Sequence, residues 1–228
     1  MKRSLVILTF NEVEGVRAVL PRVPSDCADE CLVVDGGSTD GTVEYCQSRG
    51  LRVVGQERRG RGEAFRVGAQ HTTGDALVFF SPDGNEDPAD IAALFEQLDL
   101  GVDIAIASRF LPGSRNEEDD QRLPFRKWAN QIFSLAANAI WNSGQRVTDT
   151  INGFRAVRRS AFETLALRSM AFTIEYEMTI RAMKRRMRII EIPTVEGKRV
   201  AGETKAPSVR TGIAFLNLLL SELLNRPH

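Results

Sequence analysis

Ser81-Pro82-Asp83-Gly84-Asn85 places one carboxylate and one amide oxygen two residues apart, directly after the apolar run Ala76–Phe80. Hard divalent cations take such oxygen ligands. A cation held at Asp83 and Asn85 can bridge two phosphates and assist departure of a diphosphate, which makes Asp83 a catalytic candidate. Two more polar motifs follow apolar runs: Thr9-Phe10-Asn11-Glu12, and Asp35-Gly36-Gly37-Ser38-Thr39-Asp40-Gly41-Thr42. Carboxylates in such turns can accept hydrogen bonds from a base or a ribose. Taken singly, each motif also fits an ordinary strand-to-helix turn with its capping residues. Their order along the chain carries the signal.

The remaining candidates suit anions. Gly60-Arg61-Gly62-Glu63-Ala64 offers glycines that let backbone approach a ligand and an arginine that can meet phosphate. Arg109, Arg126, Arg155 after Asn152-Gly153-Phe154, Lys198-Arg199 and Thr204-Lys205 supply cations in the second half. Guanidinium forks suit phosphate oxygens bidentately. Arg158, Arg159, Arg185 and Arg186 read instead as solvated surface cations. Asp149 and Glu175 are acidic candidates, and either can also cap a helix or pair a neighbouring arginine. His71, at a helix end, is assigned no role. With no second internal histidine, no GxSxG elbow and no GxxxxGK[ST] loop, a serine hydrolase and a P-loop enzyme are both excluded.

These motifs need a scaffold that presents strand ends together. Apolar runs at Leu5–Phe10, Cys31–Val34, Leu51–Val54, Ala76–Phe80 and Ile104–Ala107 alternate with helix-like segments, predicting an α/β fold with a mostly parallel sheet. Val13, Val16, Val19 and Leu20 recur at helical spacing, and Ile91, Leu94, Phe95 and Leu98 line a helix opened by Pro88 with Asp87 as N-cap. Leu111–Pro124, with acids from Glu117 to Asp120, predicts a mobile surface loop. Phe125, Trp128, Ile132, Leu135 and Ala139 predict a striped helix, and Arg188–Ile192 a last strand stopping at Pro193. In open α/β sheets ligands bind beyond the carboxyl ends of strands, where the polar motifs fall.

Composition bounds the reading. The 228 residues, 43% hydrophobic, suffice for one main domain. Thirty Lys+Arg balance thirty Asp+Glu, so no global basic field draws in nucleic acid. Cys27, Cys31 and Cys46 lack zinc-ligand spacing and read as reduced thiols of a cytosolic protein. The opening run is too short for a signal peptide, and Ile213–Leu224 is too short and too interrupted to span a bilayer.

Written together, LTFNE, VVDGGSTDGT, GRGEA, SPD, ASR and NGFR resemble the motif series of family 2 glycosyltransferases of the GT-A fold. The closest likeness is to the dolichyl- or polyprenyl-phosphate mannosyltransferase branch. The resemblance implies a Rossmann-like GT-A domain over residues 1–205, followed by an amphipathic helical tail over 206–228. It implies inverting sugar transfer from a nucleotide diphosphate sugar of the GDP-mannose or UDP-glucose type. Thr9, Asn11, Glu12, Asp35, Gly62, Ser81 and Asp83 then form the nucleotide-sugar pocket. Asp83 and Asn85 meet Mg²⁺ or Mn²⁺. Arg109, Arg199, Thr204 and Lys205, joined by Arg126 and Arg155, hold the acceptor phosphate or the donor diphosphate, and Asp83, Arg109 and Asp149 form the catalytic set. Two departures stand out: Ser81 occupies the place of the first Asp in the DxD metal motif, and Asn85 the place of a Gln.

The implied acceptor is a polyprenyl or dolichyl phosphate at the cytoplasmic face of a membrane. Arg122, Arg126, Arg210 and Arg226 flank the apolar stretches around residues 125–139 and 213–224, the pattern of an interfacial helix meeting anionic headgroups. Those stretches can alternatively pack on the sheet or form a homodimer interface. Two other readings remain at this stage, a soluble or glycan hydroxyl acceptor and a nucleotide-sugar-binding module without turnover.

Overall fold

The computed structural model describes residues 1–142, 144, 146–201 and 208–224, the side chains of Ser208 and Val209 excepted. Seven strands form one sheet: β1 (Arg3–Thr9), β2 (Glu30–Asp35), β3 (Arg52–Gly55), β4 (Ala76–Phe80), β5 (Ile104–Ser108), β6 (Arg155–Arg158) and β7 (Ile189–Pro193), in the order β3-β2-β1-β4-β6-β5-β7. Every pairing is parallel except those of β6, which runs against both β4 and β5. The helices are α1 (Val13–Val19), α2 (Thr42–Ser48), α3 (Arg61–Gln70), α4 (Asp90–Asp99), α5 (Phe125–Trp141), α6 (Arg159–Leu165), α7 (Ile174–Lys184) and α8 (Ser208–Leu224).

Alternate residues of each central strand enter two separate cores. Val6, Leu8, Leu32 and Phe79 face one, which also receives Phe65, Tyr176 and Phe215 from α3, α7 and α8. Leu5, Ile7, Val33 and Phe80 face the other, with Val16 from α1 and Phe95 from α4. Burial on both faces is why these strands read as unbroken apolar runs rather than as alternation.

β6 carries no such run, because arginines bound a two-residue apolar centre, and it escapes a sequence reading. Its insertion overturns one expected phosphate ligand. The Arg155 side chain is fully buried, donating to the carbonyl oxygens of Thr150, Asn152 and Glu175 and to Thr179 Oγ1. Burial pushes its pKa down to about 10 against the pull of Glu175 and Asp149. Arg155 holds the 149–155 turn together and offers nothing to a ligand. Arg158 and Arg159 are likewise not free surface cations: they donate to backbone carbonyls at Leu98 and Val102, and at Ala69, Thr72 and Gly74.

Other expectations shift slightly. α4 begins at Asp90, and the Asp87 carboxylate accepts from Ala89 N at 3.2 Å. The 111–124 loop forms no helix but is tied down: Arg126 pairs with Glu117 at 2.5 Å and with Glu118 at 2.7 Å, Lys127 pairs with Asp119, and Asn116 Nδ2 donates to Glu196 at 2.9 Å. Pro193 ends β7 on the sheet edge, where its missing N–H leaves no ladder bond broken. α8 seats Phe215 against Phe133 and Tyr176 and pairs Glu222 with Arg181 and Lys184, both at 2.8 Å. Its opposite face leaves Leu216, Leu220 and Leu224 exposed.

Candidate active site

The carboxyl ends of β1, β2, β4, β5 and β7, and the turn entering β6, meet on one side of the sheet. Three cavities lie there. One of about 270 Å³ runs from Gln56, Arg59 and Gly36 past Thr9, Phe10 and Glu12 to Ser81, Asp83 and Arg199. A polar cavity of about 170 Å³ continues from Ser81, Asp83 and Asn85 and receives Arg61, Arg109, Arg126 and Arg199. A third, of about 440 Å³, shares Arg61, Arg109 and Arg126 with it and opens between α5 and α8, beside Phe125, Phe133 and Phe215.

At the end of β4, Ser81 and Asp83 are each held by an arginine. Arg61 Nη1 donates to Ser81 Oγ at 3.2 Å, while its Nε binds the buried Glu175 carboxylate. Arg199 Nη2 lies 2.7 Å from Asp83 Oδ2, and Asp83 Oδ1 accepts from Asn85 N at 3.0 Å. Asn85 Nδ2 donates to Glu117 Oε2 and to Gly197 O, both at 2.9 Å, which turns its amide oxygen to other use. Gly84 adopts φ +96, and a Cβ there would meet Val200 and Lys198 O at 2.7 and 3.0 Å, so the turn and the 197–200 segment close over each other only with glycine.

These residues fit a divalent cation of a particular kind. One carboxylate and one amide oxygen make an incomplete shell, and no group of three His, Cys, Asp or Glu that could hold a metal occurs among the described residues. Such a set suits Mg²⁺ or Mn²⁺ whose remaining ligands are substrate phosphate oxygens and water, not a cage built by protein alone. Glu86, unmarked in the sequence reading although only three residues beyond Asp83, accepts from Ser81 N at 2.6 Å. Burial, reinforced by Asp83 and opposed by Arg61, pushes its carboxyl up to about 8.

Arg109, just after β5, faces the polar cavity because Asp149 grips it from behind. Nε and Nη2 of Arg109 donate to the two Asp149 oxygens at 2.7 and 3.0 Å, and Nη1 lies 3.6 Å from Glu196. Burial opposes the guanidinium charge, but the Asp149 carboxylate outweighs it and holds the pKa above the usual arginine value. Asp149 itself is wholly buried and lines none of the three cavities. It was expected in the catalytic set; the structure places it behind Arg109, where it aims the guanidinium.

The expected nucleotide-sugar residues divide in the same way. Thr9, Glu12, Ser81 and Asp83 line the first cavity. Asp35 does not: its oxygens accept from Thr9 Oγ1 and Ser38 Oγ, and from Gly37 N and Ser38 N, so the carboxylate builds the turn rather than facing the cavity. Asn11, at φ +45, also ties turns together, accepting from Thr39 N at 2.9 Å. Gly62 is required by packing, since a Cβ there would lie 2.0 Å from Ser169 O, and it does not line the first cavity. Gly202, Glu203, Thr204, Lys205 and Arg226 lie outside the described residues. Glu117, Glu196 and Phe172 join the cavity linings without any local sequence signal.

A Rossmann-like sheet with one reversed strand, an acidic turn after β4 and an arginine-lined cavity at the strand ends defines a GT-A glycosyltransferase. The chain belongs to glycosyl transferase family 2, whose pattern matches residues 4–166. It is 31% identical over 225 residues to glycosyltransferase AglJ of Haloferax volcanii, covering 96% of this chain and 71% of the other. It is 30% identical to a polyprenol monophosphomannose synthase of Mycolicibacterium smegmatis, covering 90% and 81%. Among solved structures, glucosyl-3-phosphoglycerate synthase of Mycobacterium tuberculosis, in complex with Mn²⁺, UDP and phosphoglyceric acid, has the same fold at a TM-score of 0.76 and 22% identity, covering all of this chain and 80% of that one.

Proposed function

We propose that the protein transfers a sugar, with inversion, from a nucleotide diphosphate sugar to a polyprenyl phosphate presented at a membrane surface. The observation that carries this reading is the continuity of the cavities: a donor-shaped cleft ending at Asp83 opens through four arginines into a cleft between α5 and α8. The outer faces of those helices expose Phe125, Ile132, Leu135, Ile213 and Leu216. An acceptor with a phosphate head and an apolar tail matches that layout, and homologues named for polyprenol and dolichol phosphate support it.

In this reading Arg199 and Arg61 receive the donor diphosphate, and Arg109 and Arg126 the acceptor phosphate. Asp83 and Asn85 would hold Mg²⁺ or Mn²⁺, which when bound would supply positive charge to the leaving diphosphate. An acceptor phosphate oxygen is already anionic, so its attack on the anomeric carbon needs no strong general base, in keeping with a site whose acids are paired with arginines. The chain's part is to fix the two anions and neutralise them.

No helix among the described residues is long and apolar enough to cross a membrane. Two measurements test the reading together: transfer from GDP-mannose and UDP-glucose to a short-chain prenyl phosphate, and co-sedimentation with anionic vesicles for the wild type and Leu216→Glu/Leu220→Glu. The expected result is a prenyl-linked product and vesicle binding that the double variant loses. Transfer only to a soluble acceptor, without vesicle binding, would reject the lipid acceptor. Self-association abolished by the same variant would reassign the apolar faces to a homodimer.

A further inference from the structure

Four acids line the polar cavity at the strand ends: Asp83, Glu86, Glu117 and Glu196. Three of them are matched by arginines. Asp83 pairs with Arg199 at 2.7 Å, Glu117 with Arg126 at 2.5 Å and Glu196 with Arg109 at 3.6 Å. Glu86 alone of the four forms no ion pair among the described residues, and it belongs to none of the strand-end motifs. The arginines have no charge to spare for it. Arg61 is also held by Glu175, Arg109 by Asp149 and Arg126 by Glu118, so carboxylates outnumber the guanidiniums that serve them.

The Glu86 carboxylate is nevertheless fixed in place. Its Oε2 accepts from Ser81 N at 2.6 Å, which folds the side chain back over the turn after β4. It therefore stands beside a residue that brings only a hydroxyl, and that hydroxyl accepts from Arg61 Nη1 at 3.2 Å. Oε1 of Glu86 has no hydrogen-bond partner among the described residues, and the side chain lines the cavity together with Asp83 and Asn85. The charges that act on Glu86 are those of Arg61, Asp83 and Glu196, each already matched by a partner of its own. A cation is the missing partner.

We infer that Glu86 is a further ligand of the divalent cation, supplying from beyond the turn the second carboxylate that Ser81 does not bring. Two carboxylates and one amide oxygen still fall short of a full shell and leave places for phosphate oxygens and water. Without the cation, burial keeps the Glu86 carboxyl protonated, and a bound cation would take the proton's place. The inference rests on the cation site in the reading above and deepens it.

Electron paramagnetic resonance of free Mn²⁺, with the full nucleotide-free chain and the metal alone at one fixed pH, tests it. Glu86→Gln keeps an acceptor for Ser81 N and loses the charge; it is expected to weaken Mn²⁺ binding about tenfold. Glu86→Asp keeps the charge but loses reach, and is expected to weaken binding to a similar degree. Asp87→Asn removes a neighbouring carboxylate that does not line the cavity, and is expected to change nothing. Wild-type affinity in a folded Glu86→Gln chain overturns the assignment and leaves Asp83 and Asn85 as the site. Wild-type affinity in Glu86→Asp, or an equal loss in Asp87→Asn, overturns it as well, since the charge would then act at a distance and not as a ligand. Should Glu86→Gln not fold, Glu86→Asp against Asp87→Asn decides. A wild type that binds no Mn²⁺ removes the cation site and this inference with it, while the prenyl-phosphate assay still judges sugar transfer on its own.

Discussion

Arg199 Nη2 lies 2.7 Å from Asp83 Oδ2, so the carboxylate best placed to hold a divalent cation is neutralised by the chain's own guanidinium. Backbone bonds hold the two segments in register: Val200 N donates to Asp83 O and Gly197 N to Asn85 O, each at 2.9 Å. A cation bound at Asp83 would compete with that guanidinium, and a diphosphate would offer the guanidinium another partner.

Arg199→Ala should therefore raise Mn²⁺ affinity of the nucleotide-free chain by about tenfold, equivalent to about 1.4 kcal/mol. Electron paramagnetic resonance of free Mn²⁺ reads this directly. Arg126→Ala, which removes a charge of the same cavity that is paired elsewhere, is the control and should change little. Equal affinities in wild type and Arg199→Ala would show that the ion pair does not compete with metal.

Asp83→Ala removes the strand-end carboxylate of the proposed cation site. Turnover should fall at least about a hundredfold while the thermal midpoint stays within a few degrees, because the loss is of leaving-group stabilisation rather than of packing. Near-normal kcat in a folded variant would refute the assignment.

Asp149 acts through Arg109. Asp149→Ala leaves the buried Arg109 guanidinium with only Glu196, 3.6 Å away, to balance it, at a cost of about 3 kcal/mol in stability. Arg109→Ala and the double variant should lose similar amounts of transfer activity, so the effects are non-additive in a double-mutant cycle. Additive losses would mean that Asp149 contributes separately to the reaction.

Asp35→Ala strips an acceptor from three donors of the turn after β2 and from Thr9 Oγ1 on β1, costing about 2–4 kcal/mol. Since Asp35 does not line the donor cavity, the kinetic effect should appear mainly as a raised KM through a disordered turn. Guanidinium chloride melts and donor titrations measure the two effects. A kcat loss at unchanged KM would place Asp35 in the chemistry.

Glu86 predicts a pH dependence. Its carboxyl keeps a proton in the folded chain up to about pH 8, against an ordinary value of 4.5. Between these values the folded state binds more protons than the unfolded one, so this group's contribution to stability is lost as pH rises through the window. Glu86→Gln cannot titrate, and its stability relative to wild type should improve steadily from about pH 5 to about pH 9. Parallel melting curves across that range would deny the shifted carboxyl.

Much of this protein was legible from local pattern. Two-sided burial leaves β1, β2, β4 and β5 as apolar runs, and the residues that end them, Glu12, Asp35, Asp83 and Arg109, are read from the chain alone because turn chemistry depends on near neighbours. β6 was not legible, since its two apolar residues between arginines become a strand only when β4 and β5 pair with them. The roles of the charged residues were not legible either. Arg155, Arg109 and Arg199 are the same residue type in similar polar motifs, yet Arg155 is sealed by Glu175 and Thr179, Arg109 is aimed by Asp149, and Arg199 rests on Asp83. The sequence by itself determined the parallel strands, the strand-end motifs and the family. Only the tertiary structure decided which cations face the cavities and which acids are already spent, because a charge's role is set by partners as far off as the 114 residues between Arg61 and Glu175, and no local spacing encodes such a meeting.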